Sequence, residues 1–173
     1  RYMRVTRVEL KPLGDAAVLA YLPDEASALQ FANTVRGAQF DWLLDVVPAY
    51  ASVGVFFDPE RIGLGTVRRL LGKLTFKKGA ATLGRLHQVP CCYELQLDLA
   101  RVAEHRGLTP DRVVELHTSL EYTVYAIGFS PGFPYLGYLP GELEGVPRLQ
   151  APRLRVEPGS VGLTARQTGI YPL

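Results

Sequence analysis

Two arginines at a five-residue spacing are the side chains of this sequence that best suit the binding of an anion. Arg148 and Arg153 each follow a proline in a segment rich in Gly, Pro and Arg. A guanidinium group binds a carboxylate or a phosphate through paired hydrogen bonds, so both are candidates for contacting a substrate. Ion pairing at the surface or at an interface would explain them equally well. Arg155 and Arg166 are weaker candidates of the same kind.

A glycine-bounded segment, Gly159-Ser160-Val161-Gly162, follows these arginines. Its backbone N–H groups could be presented to an anion. Because position 158 is proline, the segment is not a Gly-x-Ser-x-Gly elbow, and Ser160 is disfavoured as a nucleophile. Three nearby polar side chains could orient a small polar ligand or be satisfied within a turn: Gln167, Thr168 and Tyr171.

His117 is the histidine that we expect to take part in catalysis, as a general base. It follows Val114 by three residues at the end of a predicted helix, so it faces the core side. Its ordinary pKa near neutrality suits proton transfer. The alternative is a half-buried histidine that is only hydrogen-bonded. His87 and His105 stand apart from it with no carboxylate at ligand spacing, so the sequence predicts no metal site.

The segment from Gly128 to Gly137 contains five Gly or Pro residues and three aromatic rings. Pro131-Gly132 suits a turn with proline at its second position and a positive φ at its third. The sequence predicts a rigid loop that supplies the wall of a pocket. The alternative is a packed turn that only closes a β-barrel. The predicted wall residues are Phe129, Pro131, Gly132, Phe133 and Tyr135.

The first 76 residues predict a ββαββα arrangement. Asp24 can cap the first helix and Gly37 can end it, while apolar residues from Leu64 to Leu74 recur at helical spacing in the second. Segregated strands and helices favour an α+β fold, near ferredoxin-like, over a first domain of residues 1–80. The predicted strands are residues 4–10, 16–22, 42–47 and 52–57.

A basic, Gly/Ala-rich segment at residues 76–84 marks the predicted domain boundary. The second domain, residues 85–173, is predicted to begin with a strand at 85–93 and two short helices. Asp98 caps the first helix, and Thr109 caps the second with Pro110 at its first position. A strand from Tyr122 to Ile127, then strands at 161–164 and from 170 onwards joined by a turn at 166–169, favour a barrel or sandwich.

Composition excludes several classes of function. The chain has 173 residues, 47% of them hydrophobic, and a net charge of +2, which indicates neither nucleic-acid nor membrane binding. We expect a cytoplasmic protein, because no signal-peptide pattern stands at the N-terminus. Cys91 and Cys92 lack a metal or redox spacing, and we expect them to be reduced with one of them buried.

Several motifs occur in the order of a known family. They are the segment from Gly128 to Gly137, Pro152-Arg153, Gly159 to Gly162, and Gln167 to Pro172. With these motifs the chain resembles the B subunit of 5-oxoprolinase, a family also described as allophanate hydrolase subunit 1, as a sporulation-kinase inhibitor family and as a carboxyltransferase C/D type. The resemblance covers nearly the whole chain. It is most specific from Gly128 to Pro172.

The resemblance implies a small N-terminal α+β domain followed by a cyclophilin-like β-barrel. Family members continue past Tyr171-Pro172 with a strand-rich tail, so the sequence leaves open whether the barrel is complete at Leu173. It also implies a partner of the family's C type that shares a site with this chain, and a third oxoprolinase subunit.

The implied activity is the ATP-dependent opening of 5-oxoproline to glutamate, with this chain as a subunit that is inactive alone. The sequence has no Walker A motif and no aspartate cluster around a glycine loop. We therefore expect ATP and Mg²⁺ to bind only in the assembled complex, and neither tightly to this chain alone.

Two alternative functions stay open. The aromatic loop could grip a helix of a sensor histidine kinase and inhibit it without chemistry. The chain could also be an allophanate or urea carboxyltransferase-like subunit. In each case we expect an apolar surface patch rimmed by arginines at the place where a partner docks.

Overall fold

The computed structural model describes residues 8–76 and 84–172. The chain divides into two compact units, residues 1–84 and 85–173. Each unit is a mixture of helices and antiparallel strands.

The first unit contains one four-stranded antiparallel sheet in the order β1-β2-β4-β3. Its element order is the predicted ββαββα, whereas the sheet order does not establish the predicted ferredoxin-like arrangement. The elements are β1 (Glu9–Pro12), β2 (Ala17–Tyr21), α1 (Glu25–Gly37), β3 (Leu43–Ala49), β4 (Ser52–Phe57) and α2 (Leu64–Leu71).

Local sequence accounts for the elements of the first unit. The Asp24 carboxylate accepts a hydrogen bond from the Ser27 N–H at 2.7 Å and caps α1, as predicted. The apolar stripe of α1, centred on Phe31 and Val35, packs against the sheet in a core that it shares with α2. The first strand was predicted at residues 4–10. The structure has β1 run to Pro12, and residues 1–7 lie outside the described residues.

The second unit places two helices before a four-stranded antiparallel sheet in the order β5-β6-β8-β7. A short 3-10 turn at Gly141–Leu143 lies between the second and third strands of this unit. The elements are α3 (Leu99–Arg106), α4 (Pro110–Thr118), β5 (Thr123–Ile127), β6 (Pro134–Gly137), β7 (Val161–Thr164) and β8 (Gln167–Ile170).

The sheet of the second unit is open. Over residues 84–172, β5 and β7 form its two edges and the strands do not close into a barrel. The predicted cyclophilin-like barrel is therefore not confirmed. In the part of the chain that the structure describes, no helix is both long and apolar enough to cross a bilayer.

Four predictions for the second unit were wrong. Asp98 stands at the N-cap of α3, but its side chain forms no capping bond. Residues 85–93 form no strand, because alternation of apolar residues makes a strand only where a neighbour supplies the ladder. Residues 85–92 are exposed and Tyr93 is half-buried. The turn between β7 and β8 is Ala165-Arg166, so Gln167 to Gly169 lie in β8. Cys91 and Cys92 are both exposed, since that segment packs against no core.

Helix α4 positions the candidate histidine. Thr109 accepts a hydrogen bond from the Arg112 N–H at 3.2 Å and Pro110 occupies the first turn, both as predicted. Val113 and Leu116 face a core shared with α3 and with residues of the 141–146 region. His117 therefore lies on the buried side of the last turn of α4.

Candidate functional site

The aromatic loop is a hydrogen-bonded turn between β5 and β6. The Phe133 N–H donates to the Ser130 carbonyl at 3.1 Å, and Gly132 has a φ of 83°. This is the predicted Pro-Gly turn, and the positive φ at its third position is the reason for glycine there. A second bond, from the Gly128 N–H to the Phe133 carbonyl, closes the base of the loop.

Four rings cluster around this loop. The Phe133 ring is buried and lies 5.0 Å from Tyr135 and 5.1 Å from Tyr171, centroid to centroid. Phe129 packs edge-on against Phe133 at 5.5 Å yet keeps 78% of its surface exposed. The structure thus combines one sealed ring with one ring that faces solvent. Among the wall residues predicted from sequence, Phe129, Pro131 and Gly132 are exposed.

Strand β8 passes directly beneath the Phe133 ring at a glycine. A Cβ built on Gly169 would lie 2.6 Å from Cζ of Phe133 and 3.1 Å from the Pro134 carbonyl oxygen. Gly162, its cross-strand partner on β7, would bring its Cβ 3.4 Å from the Tyr171 ring. The absence of a side chain at Gly169 therefore lets the buried ring lie on the sheet.

His117 is more buried than the predicted half-buried histidine, with 7% of its surface exposed. Its Nδ1 lies 2.5 Å from the Tyr93 hydroxyl oxygen, and its Nε2 lies 3.2 Å from Oγ1 of Thr168. The Thr168 hydroxyl donates in turn to the Gly162 carbonyl at 3.1 Å. The histidine thus joins the segment before α3 to strands β7 and β8.

Burial governs the ionisation of this group. It lowers the pKa of His117, because a charged imidazolium would lose its hydration. Burial, with smaller contributions from Cys91 and Tyr122, raises the pKa of Tyr93 to about 12. At neutral pH both side chains are therefore uncharged.

Three of the four arginines already carry an acidic partner. Arg153 bonds Asp98 at 2.7 Å, Arg155 lies 2.9 Å from Glu157, and Arg166 lies 3.4 Å from Glu144. Arg148 is exposed, like the other three. Exposed ion pairs contribute at most about 1 kcal/mol, so a ligand anion can displace such a carboxylate. Binding of an anion by these arginines stays a prediction.

The amides of the glycine-bounded segment are committed to the protein. The Gly159 N–H donates to the Tyr171 carbonyl at 2.8 Å, and the Ser160 N–H donates to the Glu157 carbonyl at 3.0 Å. Because these two N–H groups already donate to carbonyls of the chain, the predicted anion contact at Gly159 and Ser160 is weakened. Gln167 lies half-buried on β8, while Thr168 is 3% exposed and turned inward.

The relationship to known proteins follows from the whole chain. The family model of the carboxyltransferase domain, subdomain C and D, matches residues 8–173. The chain belongs to this family. The resemblance predicted from the motifs is confirmed.

This carboxyltransferase-domain chain is similar in sequence to two relatives and in structure to one solved protein. It is 41% identical over 134 residues to the B subunit of 5-oxoprolinase from Escherichia coli O157:H7, covering 76% of this chain and 61% of that protein. It is 37% identical over 173 residues to that of Haemophilus influenzae, covering 95% and 80%. The crystal structure of TTHA0988 matches with a TM-score of 0.76 at 36% identity, over 91% of this chain and 32% of that one.

The chain therefore spans about three-fifths of the E. coli relative and about one-third of TTHA0988. What those whole proteins do is not transferred by similarity alone. These matches do not test kinase inhibition or allophanate chemistry, which stay predictions.

The side chains of residues 8–76 and 84–172 form no cluster of three His, Cys, Asp or Glu that could hold a metal ion. The two amides best placed by sequence for phosphate are used internally.

Two tyrosines that bond His117 were missed from the sequence, one at its imidazole and one at its backbone carbonyl. Tyr93 bonds His117 from a segment with no regular structure, so no periodicity marks it. The Tyr122 hydroxyl donates to the His117 carbonyl at 2.8 Å and satisfies the last turn of α4. The spacing of five residues after a helix-terminal histidine was the one available signal for Tyr122.

Tyr93 also lines a shallow concavity of about 420 Å³ beside the two helices. Its wall is apolar at Leu99 and Val114 and acidic at its rim. The full lining is Tyr93, Glu94, Gln96, Leu99, Pro110, Asp111, Val114 and Glu115. The hydroxyl-bearing residue bonded to His117 is therefore also the residue that borders open space.

Proposed function

We propose that this chain is a non-autonomous subunit of an ATP-dependent 5-oxoprolinase, which converts 5-oxoproline and water to glutamate. The observation that carries the proposal is 37% identity over 95% of the chain to a protein named as the B subunit of 5-oxoprolinase. The family model, matched over residues 8–173, supports it. ATP and Mg²⁺ are assigned to the assembled complex.

The chain supplies one side of a shared site in this proposal. The exposed Phe129 ring and the arginines around 148–166 lie in the same unit, and they offer an apolar contact and displaceable cations. A C-type partner and a third subunit complete the site.

The first test is reconstitution. The purified chain is mixed with its C-type partner, the third subunit, 5-oxoproline and Mg-ATP, and glutamate is measured. We expect glutamate from the complete set and none when any one subunit is omitted. No glutamate from the complete set, or full activity without this chain, would reject the proposal.

A second test uses the exposed ring. Phe129→Ala should lower the affinity of the chain for its partner about 10- to 100-fold, because exposed aromatic anchors dominate interface energies. Leu86→Ala is the matched control, since Leu86 is also an exposed apolar side chain of the same unit and lies outside the arginine segment. Titration of each variant into the partner by calorimetry measures the effect. Equal affinities for both variants would remove Phe129 from the interface.

A further inference from the structure

The hydrogen bonds of His117 have a fixed direction. A hydroxyl carries one hydrogen, and that of Thr168 is donated to the Gly162 carbonyl at 3.1 Å. Oγ1 of Thr168 therefore accepts from His117, which places a proton on Nε2. In a neutral imidazole Nδ1 is then the acceptor, and it receives the O–H of Tyr93.

The two ends of this chain of bonds differ. At the inner end, the Gly162 carbonyl accepts a hydrogen bond but passes no proton onwards. At the outer end, Tyr93 lines the concavity beside α3 and α4. Because the imidazole itself is 7% exposed, the Tyr93 hydroxyl offers a route by which a proton can pass between the concavity and His117.

We propose that Tyr93 and His117 form a proton-accepting pair, in which the Tyr93 hydroxyl contacts a water molecule in the concavity and His117 Nδ1 takes up the proton. The water loses a proton to Oη of Tyr93 as the original phenolic proton moves to Nδ1, so charge and atoms balance without any redox step. Thr168 is a positioning residue that holds the ring by accepting from Nε2. This pair rests on the proposed function, since opening 5-oxoproline requires a water molecule to be deprotonated.

The surroundings suit a transient acceptor. The lowered pKa of His117 keeps the imidazole neutral and ready at pH 7, and it favours release of the proton afterwards. The titratable groups around the pair are Cys91 and Tyr122 beside it, and Glu94, Asp111 and Glu115 around the concavity.

Three variants separate proton uptake from structural support in the reconstituted complex. Tyr93→Phe removes the hydroxyl. His117→Gln supplies an amide that can accept from Tyr93 and donate to Thr168 but takes up no proton at neutral pH. Tyr122→Phe is the matched control, because its hydroxyl bonds only the backbone carbonyl of His117 among its described hydrogen bonds.

We expect Tyr93→Phe and His117→Gln each to lower kcat at least about 100-fold with little change in KM, as for loss of a general base. Tyr122→Phe should stay within about threefold of the wild-type kcat. Full activity of His117→Gln would show a purely structural histidine and overturn the pair. Loss of activity in Tyr122→Phe equal to that in Tyr93→Phe would also overturn it.

Nitrogen NMR of the full chain gives a readout that does not depend on turnover. The His117 ring should be the Nε2–H tautomer, and Tyr93→Phe should shift the Nδ1 resonance. The Nδ1–H tautomer in the wild-type chain would overturn the pair whatever the activity. An inactive wild-type complex with the expected tautomer would instead count against the proposed function.

Discussion

The glycine beneath the buried Phe133 ring gives the sharpest test of how the second unit is packed. In Gly169→Ala the new Cβ would lie 2.6 and 2.9 Å from two ring atoms of Phe133 and 3.1 Å from a strand carbonyl. The ring cannot easily swing away, since Tyr135 and Tyr171 lie at its sides with centroids 5.0 and 5.1 Å distant. The backbone or the whole ring cluster must therefore shift.

The magnitude follows from two opposing contributions. Forcing extra atoms into a packed core costs about 1–3 kcal/mol. Replacing glycine by alanine returns about 0.4–1 kcal/mol by restricting the unfolded chain. We expect Gly169→Ala to lower the free energy of unfolding by roughly 1–2 kcal/mol. With a urea slope of about 1.5 kcal/mol/M, the midpoint falls by about 1 M.

Gly162→Ala is the matched control, because it lies opposite Gly169 in the same ladder and its Cβ would make an ordinary 3.4 Å contact. Urea unfolding followed by circular dichroism compares the two variants. Fluorescence of Trp42, the only tryptophan, reports on the first unit and should not change. Equal midpoints for the two alanine variants would refute the steric argument. So would absence of coupling between Gly169→Ala and Phe133→Leu in a double-mutant cycle.

Four further predictions concern α3, α4 and the groups around His117. Thr109→Ala should lower the free energy of unfolding by about 1 kcal/mol, measured by urea titration, because it removes the capping bond of α4. Asp98→Ala makes a useful contrast: its side chain forms no capping bond and only pairs with Arg153, so its effect should stay below about 1 kcal/mol and vanish in high salt. Stability should also fall as pH drops below 6.5, because the unfolded chain then binds a proton that buried His117 binds only at lower pH, and His117→Gln should flatten this dependence. Between pH 10 and about 12 the reverse holds for Tyr93, whose phenol stays protonated in the folded chain, and Tyr93→Phe should remove that loss of stability.

Local signals predicted the elements well where they act within a few residues. Asp24 and Thr109 cap helices where the sequence placed them, and the Pro131-Gly132 turn has the expected positive φ. The prediction of a strand at 85–93 was wrong because a strand needs a pairing partner as well as alternation, and the described residues provide no partner there. Closure of the second sheet likewise depends on pairing between distant segments, which periodicity does not encode.

Residues of the candidate site, too, were predicted only where a local signal marks them. His117 was found because its helix position fixes which side it faces. Tyr93 was not found, since it reaches the imidazole from an irregular segment 24 residues earlier in the chain. Thr168 was predicted either to orient a ligand or to be satisfied within a turn, and the structure turns its side chain inward, where its Oγ1 lies 3.2 Å from Nε2 of His117.

The interactions that each candidate anion-binding group already forms also rank these groups as ligand contacts. Freeing the Gly159 or Ser160 amide would break backbone bonds that tie the loop before β7 to Tyr171 and Glu157, so an anion there must offset their loss. Freeing the Arg153 guanidinium costs only an exposed ion pair, worth at most about 1 kcal/mol. Binding of a ligand anion therefore costs less free energy at the Arg153 guanidinium than at the Gly159 or Ser160 amide. If this surface receives a carboxylate or a phosphate, the guanidinium groups of Arg148 and Arg153 are the donors that reach it first.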